Sequence, residues 1–238
     1  MLARRSVVRT LRQPAMVVPS VLFPLILLSI YASGLDSATR LPGFPTDSYL
    51  QFALAITFVQ GALFSANSAG TNIASDIETG FLNRLALTPL RRVALMLGQL
   101  AGIIALGFFQ ALTFLIVGLA FGAGIEAGVA GALVIVAFSL LVSLAFGCIG
   151  AFVALRAGTG EAVQGVFPLF FAALFLSSMS LPRDLIENDW FQTVADWNPV
   201  SYMLECIRSL MIEGWNAEAL ALGFACAGAI ALVALVAA

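Results

Sequence analysis

The sequence predicts an all-α integral membrane protein with six transmembrane helices. Hydrophobic residues make up 61% of the 238 residues and charged residues only 10%, whereas a soluble domain has roughly 45–50% apolar and about 25% charged residues. A chain this apolar cannot cover its surface with polar side chains in water. A spanning helix needs about 20 residues, so the length fits about six crossings with their loops and leaves no separate soluble catalytic domain.

Six uncharged runs are long enough to cross a membrane. They cover residues 15–35, 49–75, 93–124, 128–155, 162–181 and 219–238. We therefore expect one transmembrane domain over residues 1–238. Three segments of it do not span: an amphipathic helix over 1–14, a long loop over 75–92, and a pair of broken helices over 182–218 between the fifth and sixth spans.

The distribution of arginine predicts which side faces the cytoplasm. Six crossings put both termini on one side, and eight of the eleven arginines fall there. The opposite side holds only Arg40, Arg183 and Arg208. Because cytoplasmic loops carry an excess of positive charge, the termini are expected in the cytoplasm. Every Trp and Tyr falls at or near the predicted outer face, where such rings favour the interface.

Missing residue types exclude several classes of function. The chain has no histidine and no lysine, so it has no Walker A motif, no Ser-His-Asp triad and no His-ligated zinc or haem. The three cysteines, Cys148, Cys206 and Cys226, form no CxxC pair and are expected to be small packing residues. We expect no catalytic residue, metal, cofactor or nucleic-acid partner on this chain.

The first 14 residues are expected to form a helix on the inner membrane surface. This segment carries four arginines: Arg4, Arg5, Arg9 and Arg12. At about 100° per residue the last three share one helical face, and apolar residues share the opposite face. Such a helix lies in the headgroup layer with its arginines toward anionic lipid. Pro14, Pro19 and Pro24 are expected to bend the chain into the first span; the alternative is a positive flank that only sets topology.

The loop over 75–92 is expected to contain a short helix that docks on a partner. Pro89 disfavours helix at Thr88, so a helix that begins near Glu78 should end there. At about ten residues it is too short to be stable alone in water. Its apolar ridge, which includes Phe81 and Leu85, is expected to seat in a groove while charged residues fix its orientation. The alternative is a surface turn that merely joins two spans.

The outer segment over 182–218 is too polar to span and too apolar for a flexible linker. A first amphipathic helix, with apolar residues from Leu185 to Trp197, is expected to break at Asn198-Pro199. A second helix over 200–212 is expected to break at Gly214. Two broken helices at the membrane surface indicate a partly re-entrant lid. Within it Glu205 and Arg208 are expected to pair, because they are three residues apart; the alternative is a solvated exterior pair.

A few polar side chains and many phenylalanines lie inside the spans. The candidate cargo-cavity residues are Gln60, Asn67, Gln99, Gln110, Phe108, Phe170 and Phe171. No span core contains an ionisable residue, which argues against a proton relay. An apolar, aromatic cavity with a few amides suits a hydrophobic or amphipathic cargo. The alternative is that these residues serve helix packing and interhelical hydrogen bonds.

These segments, in this order, resemble the ABC-2 type transporter permeases, especially the daunorubicin-resistance-like exporters. The matching residues are Asp76-x-Glu78-x-Gly80…Leu85…Thr88-Pro89-Leu90-x-Arg92 in the loop and Leu181-Pro182…Asn198-Pro199…Arg208 outside. Members of that family have six spans, an N-terminal elbow helix, a cytoplasmic coupling helix between spans two and three, and short outer helices between spans five and six. The resemblance covers essentially the whole chain.

The resemblance implies the permease subunit of an ATP-driven exporter in the bacterial cytoplasmic membrane. It implies a second permease, identical or related, and two copies of a separate ABC ATPase that holds ATP and Mg. The coupling residues would be Asp76, Glu78, Gly80, Phe81, Arg84, Leu85, Thr88, Pro89, Arg91 and Arg92. The outer-lid residues would be Pro182, Asn198, Pro199, Glu205 and Arg208. Alternatives are a permease for polysaccharide or glycolipid, a self-contained channel, and an intramembrane enzyme such as a lipid-modifying transferase.

Overall fold

The computed structural model describes residues 7–8, 12–80 and 92–237; the side chains of 92–100 are outside this description. Across these residues the chain is helical, without a β-strand. The helices are α1 (Pro14–Gly34), α2 (Tyr49–Glu78), α3 (Arg92–Ala120), α4 (Gly128–Ala157), α5 (Gly160–Phe175), α6 (Asp189–Trp197), α7 (Pro199–Arg208) and α8 (Ala217–Ala237). Short 3₁₀ helices cover Asp36–Arg40 and Arg183–Leu185, and a π turn covers Ser209–Glu213. The prediction of an all-α membrane protein is confirmed.

Five helices in the described part of the chain are long and apolar enough to cross a membrane. They are α1, α2, α3, α4 and α8. The sixth apolar helix, α5, has only 16 residues, or about 24 Å at 1.5 Å per residue, less than the hydrocarbon core of about 30 Å. The uncharged run over 162–181 is thus helical only as far as Phe175, and the count of six transmembrane helices stays a prediction. Ser177 Oγ donates to the Leu174 carbonyl oxygen at 2.5 Å, and the backbone beyond Phe175 leaves the helix.

Helix α1 contains the prolines that were expected to bend the chain before the first span. Pro14 occupies its first turn, where a missing N–H costs no hydrogen bond. Pro19 and Pro24 lie inside the helix, as membrane helices permit. Arg12 is exposed, and its backbone N–H donates to the Val8 carbonyl oxygen at 3.0 Å. Of the other elbow-helix arginines, Arg4, Arg5 and Arg9 are outside the described residues, so the elbow helix stays a prediction.

Helix α2 forms the centre of the bundle and packs against α1, α3, α4, α5 and α7. Small residues on it let neighbouring backbones approach closely. A Cβ built on Gly150 of α4 would lie 2.1 Å from the carbonyl oxygen of Ala66 in α2. Any residue larger than glycine at position 150 would therefore force α2 and α4 apart.

The two ends of α2 mark the two ends of the molecule. At one end the Tyr49 hydroxyl donates to the Ser180 carbonyl oxygen at 2.8 Å, and Gln51 Nε2 donates to the Met211 carbonyl oxygen at 2.6 Å. At the other end Glu78 Oε1 accepts the Gly160 N–H at 3.2 Å. With 30 residues, α2 is about 45 Å long. The backbone between Gly160 and Ser180 thus runs from one end of α2 to the other.

Candidate functional site

Asn198 joins three segments at the Tyr49 end of the molecule. Its Oδ1 accepts the Val200 N–H at 2.9 Å, which caps α7. Its Nδ2 donates to the Ala173 carbonyl oxygen at 2.6 Å, close to the last residue of α5. Pro199 follows in the first turn of α7, where its fixed φ favours helix. The predicted break at Asn198-Pro199 is confirmed, and the same side chain also caps α5.

Arg208 binds the non-helical backbone that follows α5. The residue is 5% exposed. Its Nη1 and Nη2 donate to the carbonyl oxygens of Ser178 and Met179, each at 2.6 Å. Its Nε donates to the Phe52 carbonyl oxygen at 3.2 Å, and the guanidinium lies 3.6 Å from the centroid of the Phe52 ring. Charge-assisted hydrogen bonds and a cation–π contact thus satisfy a buried cation and three backbone acceptors together.

The predicted pair between Glu205 and Arg208 is wrong. Glu205 Oε2 accepts from Arg183 Nη2 instead. Arg208 lies on the buried face of α7 with Leu204 and Ile207, where backbone carbonyls are the nearby acceptors. Glu205 lies on the half-exposed face, where Arg183 reaches it. A spacing of three residues on a helix allows Glu205 and Arg208 to meet. In the fold, however, Glu205 pairs with Arg183, and Arg208 binds backbone carbonyls.

Arg183 is the centre of a polar network, at the same end of the molecule, that the sequence did not predict. Its Nη1 lies 3.4 Å from Asp196 Oδ1, and its guanidinium lies 4.5 Å from the centroid of the Tyr202 ring. Its carbonyl oxygen accepts from Gln192 Nε2 at 3.4 Å. Burial alone would lower the pKa of the Arg183 guanidinium, but its contacts with Glu205 and Tyr202 outweigh burial and raise that pKa above its usual value. The available signal was an arginine beside Pro182 in an outer segment rich in acids.

A cavity of about 490 Å³ lies between these side chains at the Tyr49 end of the molecule. Its walls include Pro182, Arg183, Glu205, Arg208 and Glu213. Three of the five predicted lid residues therefore face one space. The other two, Asn198 and Pro199, form the joint between α6 and α7.

Asp76, Glu78 and Gly80, three of the residues predicted to couple to a partner, lie at the opposite end of the molecule. Glu78 is the last residue of α2, so this residue does not itself begin a new helix. The carboxylate of Glu78 binds the N-terminus of α5 through the Gly160 N–H. Gly80 has φ +66°, a left-handed conformation that favours glycine and turns the chain away from α2.

Of the remaining predicted coupling residues, two lie in the described part of the chain, and neither tests the docking role directly. Asp76 is buried at 4% exposure, so its carboxylate does not present a surface to a partner. Arg92 is the first residue of α3. The others lie outside the described residues: Phe81, Arg84, Leu85, Thr88, Pro89 and Arg91. A docking helix in this loop therefore stays a prediction.

The polar candidates for a cargo cavity lie in different surroundings. Gln110 joins three helices, because its Oε1 accepts from Ser65 of α2 at 3.1 Å and its Nε2 donates to the Ser20 carbonyl oxygen of α1 at 3.2 Å. For Gln110 the structure therefore shows interhelical hydrogen bonding, the alternative to a cargo contact that the sequence left open. Gln60 is fully buried, and neither atom of its amide has a hydrogen-bond partner. Asn67 Oδ1 is also buried without a partner. The Gln99 side chain is outside the description.

The aromatic candidates are similarly dispersed. Phe170 packs edge-on against Phe146 of α4 with ring centroids 5.7 Å apart. Phe171 belongs to a cluster that joins α1, α2 and α5. The members of this cluster, here called the phenylalanine cluster, are Phe23, Phe64, Phe167, Phe171 and Phe175. Phe108 is 46% exposed on α3. The three predicted phenylalanines therefore lie in different surroundings and do not line one common cavity in the described part of the chain.

Comparison with known proteins identifies the family. The family model described as ABC-2 type transporter matches residues 1–212. A protein of Cyanophora paradoxa named "Putative transport permease ycf38" is 27% identical over 213 residues, which cover 88% of this chain and 72% of that relative. The family match covers well over half of a chain whose helices cross a membrane several times. This multi-pass membrane protein belongs to the ABC-2 type transporter family.

Proposed function

We propose that this chain is the permease subunit of an ATP-driven ABC exporter for hydrophobic or amphipathic cargo, such as a drug or a lipid-like molecule. The observation that carries the proposal is the family match over residues 1–212 of a chain with five span-length helices. Permeases of this family normally work with a separate ABC ATPase. Because the chain lacks lysine, it cannot form a Walker A motif, and ATP with its Mg would bind to that ATPase.

The proposed topology has six crossings with both termini in the cytoplasm of a bacterium. The backbone from Gly160 to Ser180 supplies the crossing that α5 alone is too short to make, since it touches both ends of α2. Irregular backbone at membrane depth requires cover by protein, and Arg208 and Asn198 provide it. The arginine asymmetry then puts the Glu78 end inside and the Tyr49 end outside.

The proposed coupling runs along α2. A second permease and two ATPase subunits complete the transporter, and the loop over 81–91 seats on one ATPase. Glu78 links the end of α2 to the start of α5, so displacement of the loop would act on both helices. Helix α2 extends from there to Tyr49 and Phe52, which contact the segment after α5 and Arg208. A rigid helix between two bistable interfaces suffices for such coupling.

The proposed cargo class rests on the phenylalanine cluster. Its rings meet in edge-to-face and tilted contacts, as for Phe23 and Phe64 with centroids 5.8 Å apart. Phe23 and Phe175 remain 40% and 50% exposed, so the cluster presents aromatic surface outside this single chain. An apolar or amphipathic molecule can bury against such a surface without losing hydrogen bonds to water.

Co-purification tests the ATPase partnership. The tagged chain is isolated in mild detergent from membranes of its own organism, and the bound proteins are identified. We expect an ABC ATPase to co-purify with the native chain. The variant Arg84→Glu should lose that ATPase because it reverses a charge in the docking loop, whereas Arg156→Glu, on an exposed arginine at the end of α4, should retain it. If no ABC ATPase co-purifies with the native chain, the proposal is contradicted. If the Arg84→Glu variant retains as much ATPase as the native chain, the loop does not have the docking role.

A further inference from the structure

Two arginines hold the outer segment, and they hold it by contacts of different strength. Arg208 is buried, and two of its acceptors, the carbonyls of Ser178 and Met179, would be left without partners if it moved. Such groups are costly to expose to an apolar interior. The side chains of Arg183, Asp196 and Glu205 are 22%, 49% and 28% exposed. Water can hydrate each of these charges when they separate, so their contacts break more readily.

The contacts of Arg183 join three consecutive segments. Arg183 lies in the 3₁₀ helix that follows α5, Asp196 lies on α6, and Glu205 and Tyr202 lie on α7. The Tyr202 hydroxyl also donates to the Asp196 carbonyl oxygen at 2.9 Å. One guanidinium therefore fixes the 3₁₀ helix and α6 against α7, beside the outer cavity that Arg183, Glu205 and Arg208 line.

We propose that Arg183 is a reversible latch on the outer cavity. Release of Asp196 and Glu205 would let the segment from Pro182 to Trp197 swing away from α7. Asn198 and Arg208 would stay bound to the backbone after α5 and act as the fixed joint. This inference rests on the proposed function, because the latch has a role only if the outer side is an exit for cargo. Arg183 is then a positioning residue that controls access and does not itself bind cargo.

Thiol labelling tests the latch on the isolated chain in vesicles. Ser209→Cys places a reporter on the cavity wall at a residue that is 3% exposed, in a background with Cys148, Cys206 and Cys226 changed to Ala. A charged thiol reagent should label this reporter about tenfold faster when Arg183→Gln is added, which corresponds to about 1.4 kcal/mol in the opening equilibrium. Arg40→Gln removes an exposed arginine at the same end and should leave the rate unchanged.

Charge exchange separates a latch from a general structural role. Arg183→Glu and Glu205→Arg should each accelerate labelling, and the double exchange should restore slow labelling. Without any substitution of Arg183, about 1 M salt should also accelerate labelling, since it screens exposed ion pairs. This second measurement stands even if the Arg183 variants fold poorly. An unchanged rate in high salt, or failure of the double exchange to slow labelling, would overturn the latch.

The labelling experiment needs no ATPase, so its outcome is independent of the proposed function. Fast labelling on loss of Arg183 would support the latch even if no ATPase were found. In the assembled transporter, ATP and Mg should accelerate labelling of the Ser209→Cys reporter. A rate that ATP leaves unchanged would contradict release of Arg183 during transport.

Discussion

At the scale of single residues, the Tyr49 end of this protein depends on side chains that supply hydrogen bonds to the backbone where helix α5 ends. Helix α5 stops at Phe175 although the uncharged sequence continues to Leu181. The carbonyls that would have bonded within a longer helix are bound by Asn198 and Arg208. Membrane-depth backbone can leave a helix only where such partners exist.

Substitution of Arg208 should therefore be among the most damaging single changes. Arg208→Met leaves the carbonyls of Ser178 and Met179 without a donor, and each such buried group costs about 1–3 kcal/mol. We expect the free energy of unfolding to fall by at least about 2 kcal/mol, with a smaller loss for Arg208→Lys, which keeps a charged donor. Denaturant unfolding in micelles measures the difference. Arg40→Met is the matched control, and equal stability of Arg208→Met and Arg40→Met would refute the role of Arg208.

The residue scale also shows which contacts the sequence could predict. The breaks at Asn198-Pro199 and Gly214 are local properties of proline, asparagine and glycine, and both are present. The partners of Glu205 and Arg208 depend on which carbonyls and charges the fold brings near. Arg183 is 22 residues from Glu205, so helical spacing could not indicate that pair.

At the scale of elements, the bundle depends on close backbone approach around α2. Hydropathy located α1, α2, α3, α4 and α8 to within a few residues. It placed the end of the fifth span too late, because apolar composition does not distinguish helix from irregular backbone that other side chains cover. It also could not indicate which glycines lie at helix contacts, since a sequence with 21 glycines contains many candidate motifs.

Gly150 tests the packing of α4 against α2. Gly150→Ala would place a Cβ 2.1 Å from the Ala66 carbonyl oxygen, which is backbone and cannot rotate away. Overpacking of this kind typically costs about 1–3 kcal/mol, so we expect a clear fall in the unfolding midpoint. Gly165→Ala in α5 is the control, because a Cβ there meets no atom within 4 Å. A midpoint as high for Gly150→Ala as for Gly165→Ala would show that the two helices do not approach this closely.

At the scale of the whole molecule, α2 connects its Glu78 end, which we propose faces an ATPase, with its Tyr49 end, which borders the cavity. Composition and the distribution of arginine predicted the membrane character and the two sides before any contact was known. They could not predict that Glu78 would bind the start of α5, because that contact joins residues 82 positions apart. The connection from Glu78 through α2 to Tyr49 and Phe52 gives the proposed coupling a physical path.

Transport by the purified chain is the most direct test of the central claim that a separate ATPase drives this permease. The chain is reconstituted into vesicles with and without the co-purified ATPase, and movement of a lipophilic fluorescent dye is followed. We predict dye movement only when the ATPase, ATP and Mg are all present. Equally fast movement by the chain alone, with no nucleotide, would contradict the account and indicate a self-contained channel.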